Sequence, residues 1–205
     1  MMFMEMDRRY ATDMSAGLFQ TAGRLLRTLL LLVVIAFALA GGWHYWQIHR
    51  FDKEITASAQ RYSLPRQLIA SLIWRESRFD PGCLGPKKEI GLMQVTETAA
   101  QEWAAATRCA PLARTDLFQP ATNIEVGVWY LARAIRRWSL TRGDPLPFAL
   151  AEYNAGRSNA MRWATNCGPN SADYLRCITY PSTQHYVRDI LKRYRGDIGT
   201  AKARR

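Results

Sequence analysis

One glutamate stands where the apolar face of a helix ends. Leu64, Leu68 and Leu72 recur at steps of four residues, and Glu76 takes the next position in that series. Residues four apart stack on one face of an α-helix, so this carboxyl group is predicted to be half buried. Desolvation raises the pKa of a carboxyl group toward neutrality, where it can donate a proton. The pattern is typical of a general acid, and its alternative is the solvated glutamate common on helices.

Four sequence words occur in a fixed order around this glutamate. The first is Glu-Ser followed by Arg-Phe-Asp-Pro from Glu76, and the second is Gly-Leu-Met-Gln from Gly91. The third is Asn-Ile followed by Gly and Tyr-Leu from Asn123, and the fourth is Ala-Glu-Tyr-Asn-Ala-Gly from Ala151. In this order and spacing, residues 55 to 194 resemble the lytic transglycosylase domain of the soluble (SLT) type, a relative of goose-type lysozyme. The resemblance implies a mostly α-helical, lysozyme-like fold with a short hairpin or loop over the cleft.

The resemblance also implies an activity and a set of site residues. Peptidoglycan glycan strands would bind in the cleft, and Glu76 would be the single catalytic acid and base. The β-1,4 bond between N-acetylmuramic acid and N-acetylglucosamine would be cleaved with formation of a 1,6-anhydromuramyl end. No cofactor or metal is implied. Matching positions are expected to bind substrate or orient the acid: Ser77, Gln94, Tyr153, Asn154 and Tyr186.

Three of those five residues also have structural interpretations. Ser77 could cap a helix end, and the two tyrosines could be core residues with satisfied hydroxyl groups. Most glycosidases use two carboxylates, and substrate assistance is the accepted route with one. The other acids near Glu76 in sequence lack an apolar setting and are predicted to be solvated: Asp80, Glu89, Glu97, Glu102 and Glu152.

Glu89 is the acid that could face the cleft, because its loop directly precedes the Gly-Leu-Met-Gln word. This loop departs from the family, which usually has Ser-Pro and small residues where the chain has Gly85-Pro-Lys-Lys-Glu-Ile90. The departure leaves substrate preference and the role of Glu89 open. The alternatives to a transglycosylase are a lysozyme-like hydrolase and a non-catalytic peptidoglycan-binding component of an envelope-spanning apparatus.

The N-terminal part of the chain is an export segment. Residues 25–46 are predicted to form a transmembrane signal anchor, which follows a cytoplasmic segment at 1–24 and precedes an enzyme domain at 47–195. A signal peptide cleaved after Ala40 is the alternative, because Ala-Leu-Ala there matches an A-x-A site. Either interpretation places the domain in the bacterial periplasm, with or without an anchor in the inner membrane. Residues 196–205 are predicted to be a basic flexible tail.

The net charge of +11 in 205 residues indicates an anionic partner. Nucleic acid is not expected, because the domain is exported and carries no nucleic-acid-binding motif. Arg133, Arg136 and Arg137 are predicted to form a solvated helix face. Resemblance to small members of the family also leaves open a secretion, conjugation or pilus apparatus as a partner.

The four cysteines suit an oxidising compartment, and three pairings are open. We favour Cys83 with Cys109 and Cys167 with Cys177, because each pair closes a local loop. Zinc is a poor alternative, since the cysteines have no C-x-x-C spacing.

Helices are predicted for a single domain from the apolar periodicity. One opens at Ser63 as the capping residue, with Pro65 in its first turn. Others are predicted at 98–107, at 123–138, from 147 to a glycine stop at 156, and at 183–194.

Overall fold

A computed structural model describes residues 27–43, 45–141, 143–167 and 171–203. The chain divides into two compact units, Met1–Arg50 and Phe51–Arg205. The boundary lies four residues after the predicted start of the enzyme domain at 47. The predicted cytoplasmic segment at 1–24 falls outside the described residues.

The first unit contains a helix, α1, which is helical at 27–43 and 45–49. Among the described residues, the stretch Arg27–Tyr62 is the one that is long and apolar enough to cross a membrane, and none of its apolar window is buried. The helix therefore meets the physical requirements of the predicted anchor.

The second unit is built from α-helices and one 3-10 helix, with no named strand in the part of the chain that the structure describes. This confirms the predicted mostly α-helical, lysozyme-like class. The elements are α2 (Asp52–Tyr62), α3 (Arg66–Ser77), α4 (Glu97–Thr107), the 3-10 helix Arg114–Phe118, α5 (Pro120–Arg137), α6 (Leu146–Ala155), α7 (Arg157–Cys167), α8 (Ser171–Cys177) and α9 (Pro181–Ala203).

Helix α6 lies at the centre of the domain and packs against α5, α7, α8 and α9. Its residues 147–152 are buried almost all round, as expected for a central helix. Phe148 stacks between Trp138, the residue that caps the end of α5, and Tyr174 of α8. Helix α3 packs against α2 and α9. The C-terminal ends of α3 and α6 and the start of α9 line one common cleft.

The prediction that Ser63 caps α3 was wrong. Ser63 is the left-handed C-cap of α2, with φ of 55°, and its backbone N–H donates to the end of that helix. Pro65 is the N-cap of α3, and no side chain caps this helix. Three residues separate the end of α2 from the start of α3. Ser63 therefore ends one helix, and a capping role was expected of it only because α2 was not predicted.

The connection from α3 to α4 is a short hairpin-like loop. Isolated antiparallel bridges join Leu84 to Ile90 and Ile90 to Val95. The Gly91 N–H donates to Cys83 O at 2.8 Å, which closes the base of the loop. This matches the predicted hairpin or loop after α3.

The last helix is longer than predicted, because α9 continues to Ala203. The flexible tail predicted from residue 196 is therefore helical over its described part. The glycine stop of α6 is confirmed at Gly156, where φ is 84°.

Two predictions of solvated side chains were wrong. Glu152 of α6 is fully buried and forms an ion pair with Arg137 at the end of α5. The Trp138 Nε1 group also donates to Glu152 Oε2 at 2.7 Å. A buried carboxylate needs such partners, because an unpaired charge is costly away from water. Arg137 is thus part of the α5–α6 contact and not of a solvated face.

One of the two predicted cysteine pairs forms. Cys167 and Cys177 are joined in a disulfide across α7 and α8. The pairing of Cys83 with Cys109 was wrong, since both thiols are free. Cys83 lies at the base of the hairpin, whereas Cys109 follows the eleven residues of α4, a helix about 16 Å long. The two thiols lie in different surroundings, Cys83 partly buried and Cys109 exposed.

Candidate active site

Glu76 lies in the last turn of α3, one residue before the helix ends. Leu68 and Leu72 on the same face are fully buried, and Glu76 is half buried at the edge of the domain. The helix stops because Arg78 and Phe79 both adopt left-handed backbone conformations, with φ of 53° and 65°. The apolar face of the helix therefore ends in a carboxyl group, as the spacing of Leu68, Leu72 and Glu76 predicts. Leu64, the first leucine of the predicted series, lies before the helix begins.

The carboxyl group of Glu76 opens onto a cleft of about 600 Å³. Three parts of the fold form its walls: the end of α3, the hairpin, and the junction of α6 with α9. The predicted residues Gln94, Asn154 and Tyr186 line this cleft together with Glu76. Three of the four sequence words, which are far apart in the chain, thus contribute residues to one cleft.

Burial raises the pKa of Glu76 to about 7. Desolvation is the main cause, because it penalises the charged form. The hydrogen bond from Tyr186 and the charge of Arg75 act in the opposite direction, and the charge of Glu89 raises the pKa slightly further. A carboxyl group with this pKa is present in both protonation states near neutral pH, so it can act first as an acid and then as a base.

Two tyrosines complete the polar surroundings of the acid. The Tyr186 hydroxyl, which is almost fully buried, donates a hydrogen bond to Glu76 Oε1. The Tyr153 hydroxyl donates to Met93 O at 2.9 Å. Burial is the main factor that raises the pKa of both phenols well above the ordinary value, and the charge of Glu76 adds to it. Both groups therefore stay protonated and act as hydrogen-bond donors.

Two of the predicted site residues hold the hairpin in place. The Ser77 hydroxyl is buried and donates to Leu92 O at 2.8 Å, which ties the end of α3 to the hairpin. The Gln94 Nε2 group donates to Gly91 O at 2.9 Å and to Cys83 O at 3.1 Å. With its NH2 group used internally, Gln94 offers its carbonyl oxygen to the cleft.

Asn154 is exposed at the end of α6, at the opposite wall of the cleft. Its Oδ1 accepts a hydrogen bond from Thr183 Oγ1 at 2.8 Å. Since the oxygen is fixed by Thr183, the NH2 group is the part of this side chain that can donate to a ligand.

Glu89 lies in the same cleft as Glu76. Its Oε2 accepts a hydrogen bond from the Lys87 N–H at 2.7 Å, which orients the carboxylate within the hairpin. A Cβ atom at Gly85 would lie 2.5 Å from this oxygen and 2.5 Å from Gln94 Oε1. The departure from the family's usual loop therefore makes space for a second carboxylate that faces the acid.

Asn123 is a supporting residue whose role the sequence did not reveal. It is buried, its Oδ1 accepts from Met93 N at 2.8 Å, and its Nδ2 donates to Ile90 O and Leu117 O. One side chain of α5 thus satisfies three backbone groups and fixes the hairpin. The signal was present, since Asn123 opens the third sequence word, but its two hairpin partners, Met93 and Ile90, lie 30 and 33 residues away in the chain.

No group of three His, Cys, Asp or Glu side chains among the described residues is arranged to hold a metal ion. The site contains one carboxylic acid with a pKa near neutral pH, several hydrogen-bond donors and a neighbouring carboxylate.

The family model of the transglycosylase SLT domain matches residues 53–174. The chain belongs to this family. The match covers the acid, the hairpin, α5 and α6, and so it includes every site residue above except Tyr186 and Thr183. The resemblance inferred from the four sequence words is confirmed.

Relatives and solved structures agree with this assignment. The chain is 36% identical over 140 residues to membrane-bound lytic murein transglycosylase F of Desulfosudis oleivorans. The matched region covers 64% of this chain and 29% of that protein. It is 30% identical over 143 residues to membrane-bound lytic murein transglycosylase C of Mannheimia succiniciproducens, with coverage of 68% and 36%. The chain therefore spans about a third of the length of these relatives.

The fold is similar to that of two solved lytic transglycosylases. An inactive glutamate-to-glutamine mutant of Slt from Pseudomonas aeruginosa matches with a TM-score of 0.65 and 19% identity, over 78% of this chain and 28% of that one. The 70-kDa soluble lytic transglycosylase in complex with bulgecin A matches with a TM-score of 0.65 and 23% identity, over 74% and 25%.

Proposed function

We propose that this protein is a peptidoglycan lytic transglycosylase in which Glu76 is the single general acid and base. It would cleave the β-1,4 bond between N-acetylmuramic acid and N-acetylglucosamine and leave a 1,6-anhydromuramyl end. The observation that carries the proposal is the Glu76 carboxyl group, half buried in a cleft and with its pKa raised to about 7. The names of its relatives support the same activity.

The reaction divides into two proton transfers at one carboxyl group. Protonated Glu76 donates to the glycosidic oxygen while the acetamido carbonyl of the muramyl residue assists at C1. In this first step the glycosidic bond breaks and N-acetylglucosamine leaves. Glu76, now a carboxylate, then accepts the proton of the C6 hydroxyl as that oxygen bonds to C1 and the acetamido oxygen leaves C1. The hydrogen bond from Tyr186 stabilises the carboxylate between the two steps.

The remaining predicted residues would position the substrate. The NH2 group of Asn154 is placed to donate to an acetamido or sugar oxygen, and the carbonyl oxygen of Gln94 can accept from a sugar hydroxyl. Tyr153 holds Met93 and so maintains the wall beside the acid.

A hydrolase with the same acid is the second candidate, favoured by one observation. Glu89 faces the cleft near Glu76, and a second carboxylate could activate a water molecule. The product separates the two, because hydrolysis leaves a reducing muramyl end.

The test is digestion of purified peptidoglycan by the full chain in detergent, with mass analysis of the new sugar ends. We expect anhydromuramyl ends from the wild type and none from Glu76→Gln. Reducing ends would support the hydrolase and direct attention to Glu89. No cleavage by a folded wild type would support the non-catalytic alternative.

We also propose that the enzyme is held at the periplasmic face of the inner membrane by α1. Support comes from the apolar character of the stretch Arg27–Tyr62 and from the membrane-bound relatives. Membrane fractionation combined with the intact mass tests this, since a protein cleaved after Ala40 would lose the anchor.

A further inference from the structure

One exposed aromatic side chain lies in the active-site cleft and has no part in the proton transfers. Tyr180, directly before α9, is 43% exposed and lines the cleft together with Glu76 and Asn154. Among the described residues of the second unit, no other aromatic side chain is exposed. A tyrosine on a protein surface needs no explanation by itself, but one in a cleft offers a flat apolar face where a ligand binds.

The ring of Tyr180 is held by a buried partner. Its centroid lies 5.2 Å from that of Trp163 in α7, and the two ring planes are nearly perpendicular, at 85°. Trp163 is fully buried. In a perpendicular contact the edge of one ring meets the face of the other, so Trp163 covers at most one face of the Tyr180 ring. The other face is available to a ligand in the cleft.

The backbone that carries Tyr180 is fixed on both sides. The Trp163 Nε1 group donates to Thr179 Oγ1 at 2.9 Å, and the disulfide between α7 and α8 lies three residues before Tyr180 in the chain. On the other side, the Gln184 N–H donates to Tyr180 O at 3.0 Å at the start of α9. The ring is therefore ordered before a ligand arrives, which reduces the conformational entropy lost on binding.

Tyr180 lies beside the reacting groups and not among them. Tyr186, whose hydroxyl binds Glu76, follows six residues later in the chain, within α9. Six helical residues span about 9 Å along the axis. The backbone of Tyr180 is displaced from that of Tyr186 by this distance, so its ring suits contact with a sugar beside the cleaved bond.

We infer that Tyr180 is a sugar-stacking residue of the cleft, whose free ring face packs against the C–H face of a pyranose in the glycan backbone. This rests on the proposed function, because it requires a glycan as the ligand. A pyranose presents C–H groups on its faces and hydroxyl groups around its edge, so a flat aromatic ring suits the face. The contact depends on the ring and not on the phenol hydroxyl, and it does not require a peptide on the sugar.

The test measures binding without cleavage. The ligand is a peptide-free tetrasaccharide of alternating N-acetylglucosamine and N-acetylmuramic acid, and its Kd is determined by titration calorimetry on the full-chain Glu76→Gln protein in detergent. In this parent, we expect Tyr180→Ala to weaken binding about tenfold. Tyr180→Leu keeps apolar bulk against Trp163 but has no flat ring, so it should bind as weakly. Tyr180→Phe keeps the ring and should bind like the parent.

Met161→Ala is the matched control, because Met161 in α7 is 45% exposed and does not line the cleft. It should leave the Kd unchanged, and thermal unfolding checks that every variant is folded. Unchanged affinity in the folded Tyr180→Leu variant, a loss in Tyr180→Phe as large as in Tyr180→Ala, or an equal loss in the control would each overturn the inference, as would a parent that does not bind the tetrasaccharide. Cleavage by the wild type is scored separately through its anhydromuramyl ends, so a failure of the proposed function is recognised independently.

Discussion

At the scale of single residues, the properties of Glu76 result from opposing effects. Burial raises the pKa of its carboxyl group, whereas the hydrogen bond from Tyr186 and the charge of Arg75 lower it. Glu89 adds a negative charge that raises the pKa. The net value of about 7 suits a group that must be both acid and base, and each neighbour can be removed to test its sign.

Tyr186→Phe and Glu89→Gln should shift the pH dependence of cleavage in opposite directions. The first step needs protonated Glu76, so activity falls as pH rises through its pKa. Without the Tyr186 hydroxyl the pKa rises, and the alkaline limb of the profile moves to higher pH. Without the Glu89 charge the pKa falls, and that limb moves to lower pH. The measurement is kcat/KM against pH for the two variants and the wild type.

Glu102→Gln serves as a control for these profiles, because Glu102 pairs with Arg133 and does not contribute to the pKa of Glu76. A shift of both test variants in the same direction would contradict the charge balance described here.

Glu76→Gln should also change stability in a pH-dependent way. The carboxyl group has its pKa raised from 4.5 to about 7 in the folded protein, so the folded state binds more protons than the unfolded state between these values. Stability of the wild type therefore falls as pH rises through this window. The free energy of unfolding of the variant minus that of the wild type should therefore be larger at pH 8 than at pH 4, by roughly 2 to 3 kcal/mol. Denaturant unfolding at the two pH values measures this, and an equal difference at both would contradict it.

At the scale of elements, the site depends on how α5 holds the hairpin. Asn123 binds three backbone groups of the hairpin and the 3-10 helix, and Gly127 one turn later lies against Met93. Met93 in turn accepts the hydrogen bond of Tyr153. The position of the cleft wall therefore follows from close packing between a helix and a loop.

Gly127→Ala should destabilise the protein although alanine favours helices. A Cβ atom at this position would lie 2.7 Å from Met93 Cβ, and a β-carbon cannot rotate away. We expect a loss of about 1 to 3 kcal/mol and a larger loss of cleavage activity, because Met93 and Tyr153 must shift. Thermal unfolding and kcat/KM measure the two effects.

Gly196→Ala in α9 is the matched control, since a Cβ atom there meets nothing within 4 Å. It should be neutral or slightly stabilising, by up to about 1 kcal/mol. Similar behaviour of the two variants would show that the contact with Met93 does not govern the effect at Gly127.

The elements also show what sequence patterns can predict. The leucine spacing placed Glu76 correctly, because helical periodicity and burial are local properties. The burial of Glu152 was missed because its partner, Arg137, lies fifteen residues earlier on another helix. The role of Asn123 was missed for the same reason, since a polar residue is recognised as buried only when its distant partners are known.

At the scale of the whole molecule, the cysteines differ in role. The disulfide between Cys167 and Cys177 joins α7 to α8 with a sequence separation of ten residues. Cys83 and Cys109 are free, the first beside the acid and the second exposed after α4. The number of residues between them did not predict this, because a disulfide depends on where the fold places the two sulfur atoms.

Replacing Cys167 and Cys177 by serine should lower the free energy of unfolding by about 2 to 3 kcal/mol, as expected for opening a ten-residue loop. Cys109→Ser should leave stability unchanged, since its thiol is exposed. Denaturant unfolding provides the comparison, and thiol titration of the folded wild type should find two reactive groups. Equal stability of all three proteins would contradict the assignment.

The most direct test of the central claim is digestion of peptidoglycan by the full chain in water enriched in heavy oxygen. If Glu76 directs the muramyl C6 hydroxyl to C1, the new muramyl ends contain no solvent oxygen, and Glu76→Gln forms none of them. Incorporation of one heavy oxygen atom at each new muramyl end would show that water is the nucleophile and would contradict the single-carboxyl transglycosylase mechanism.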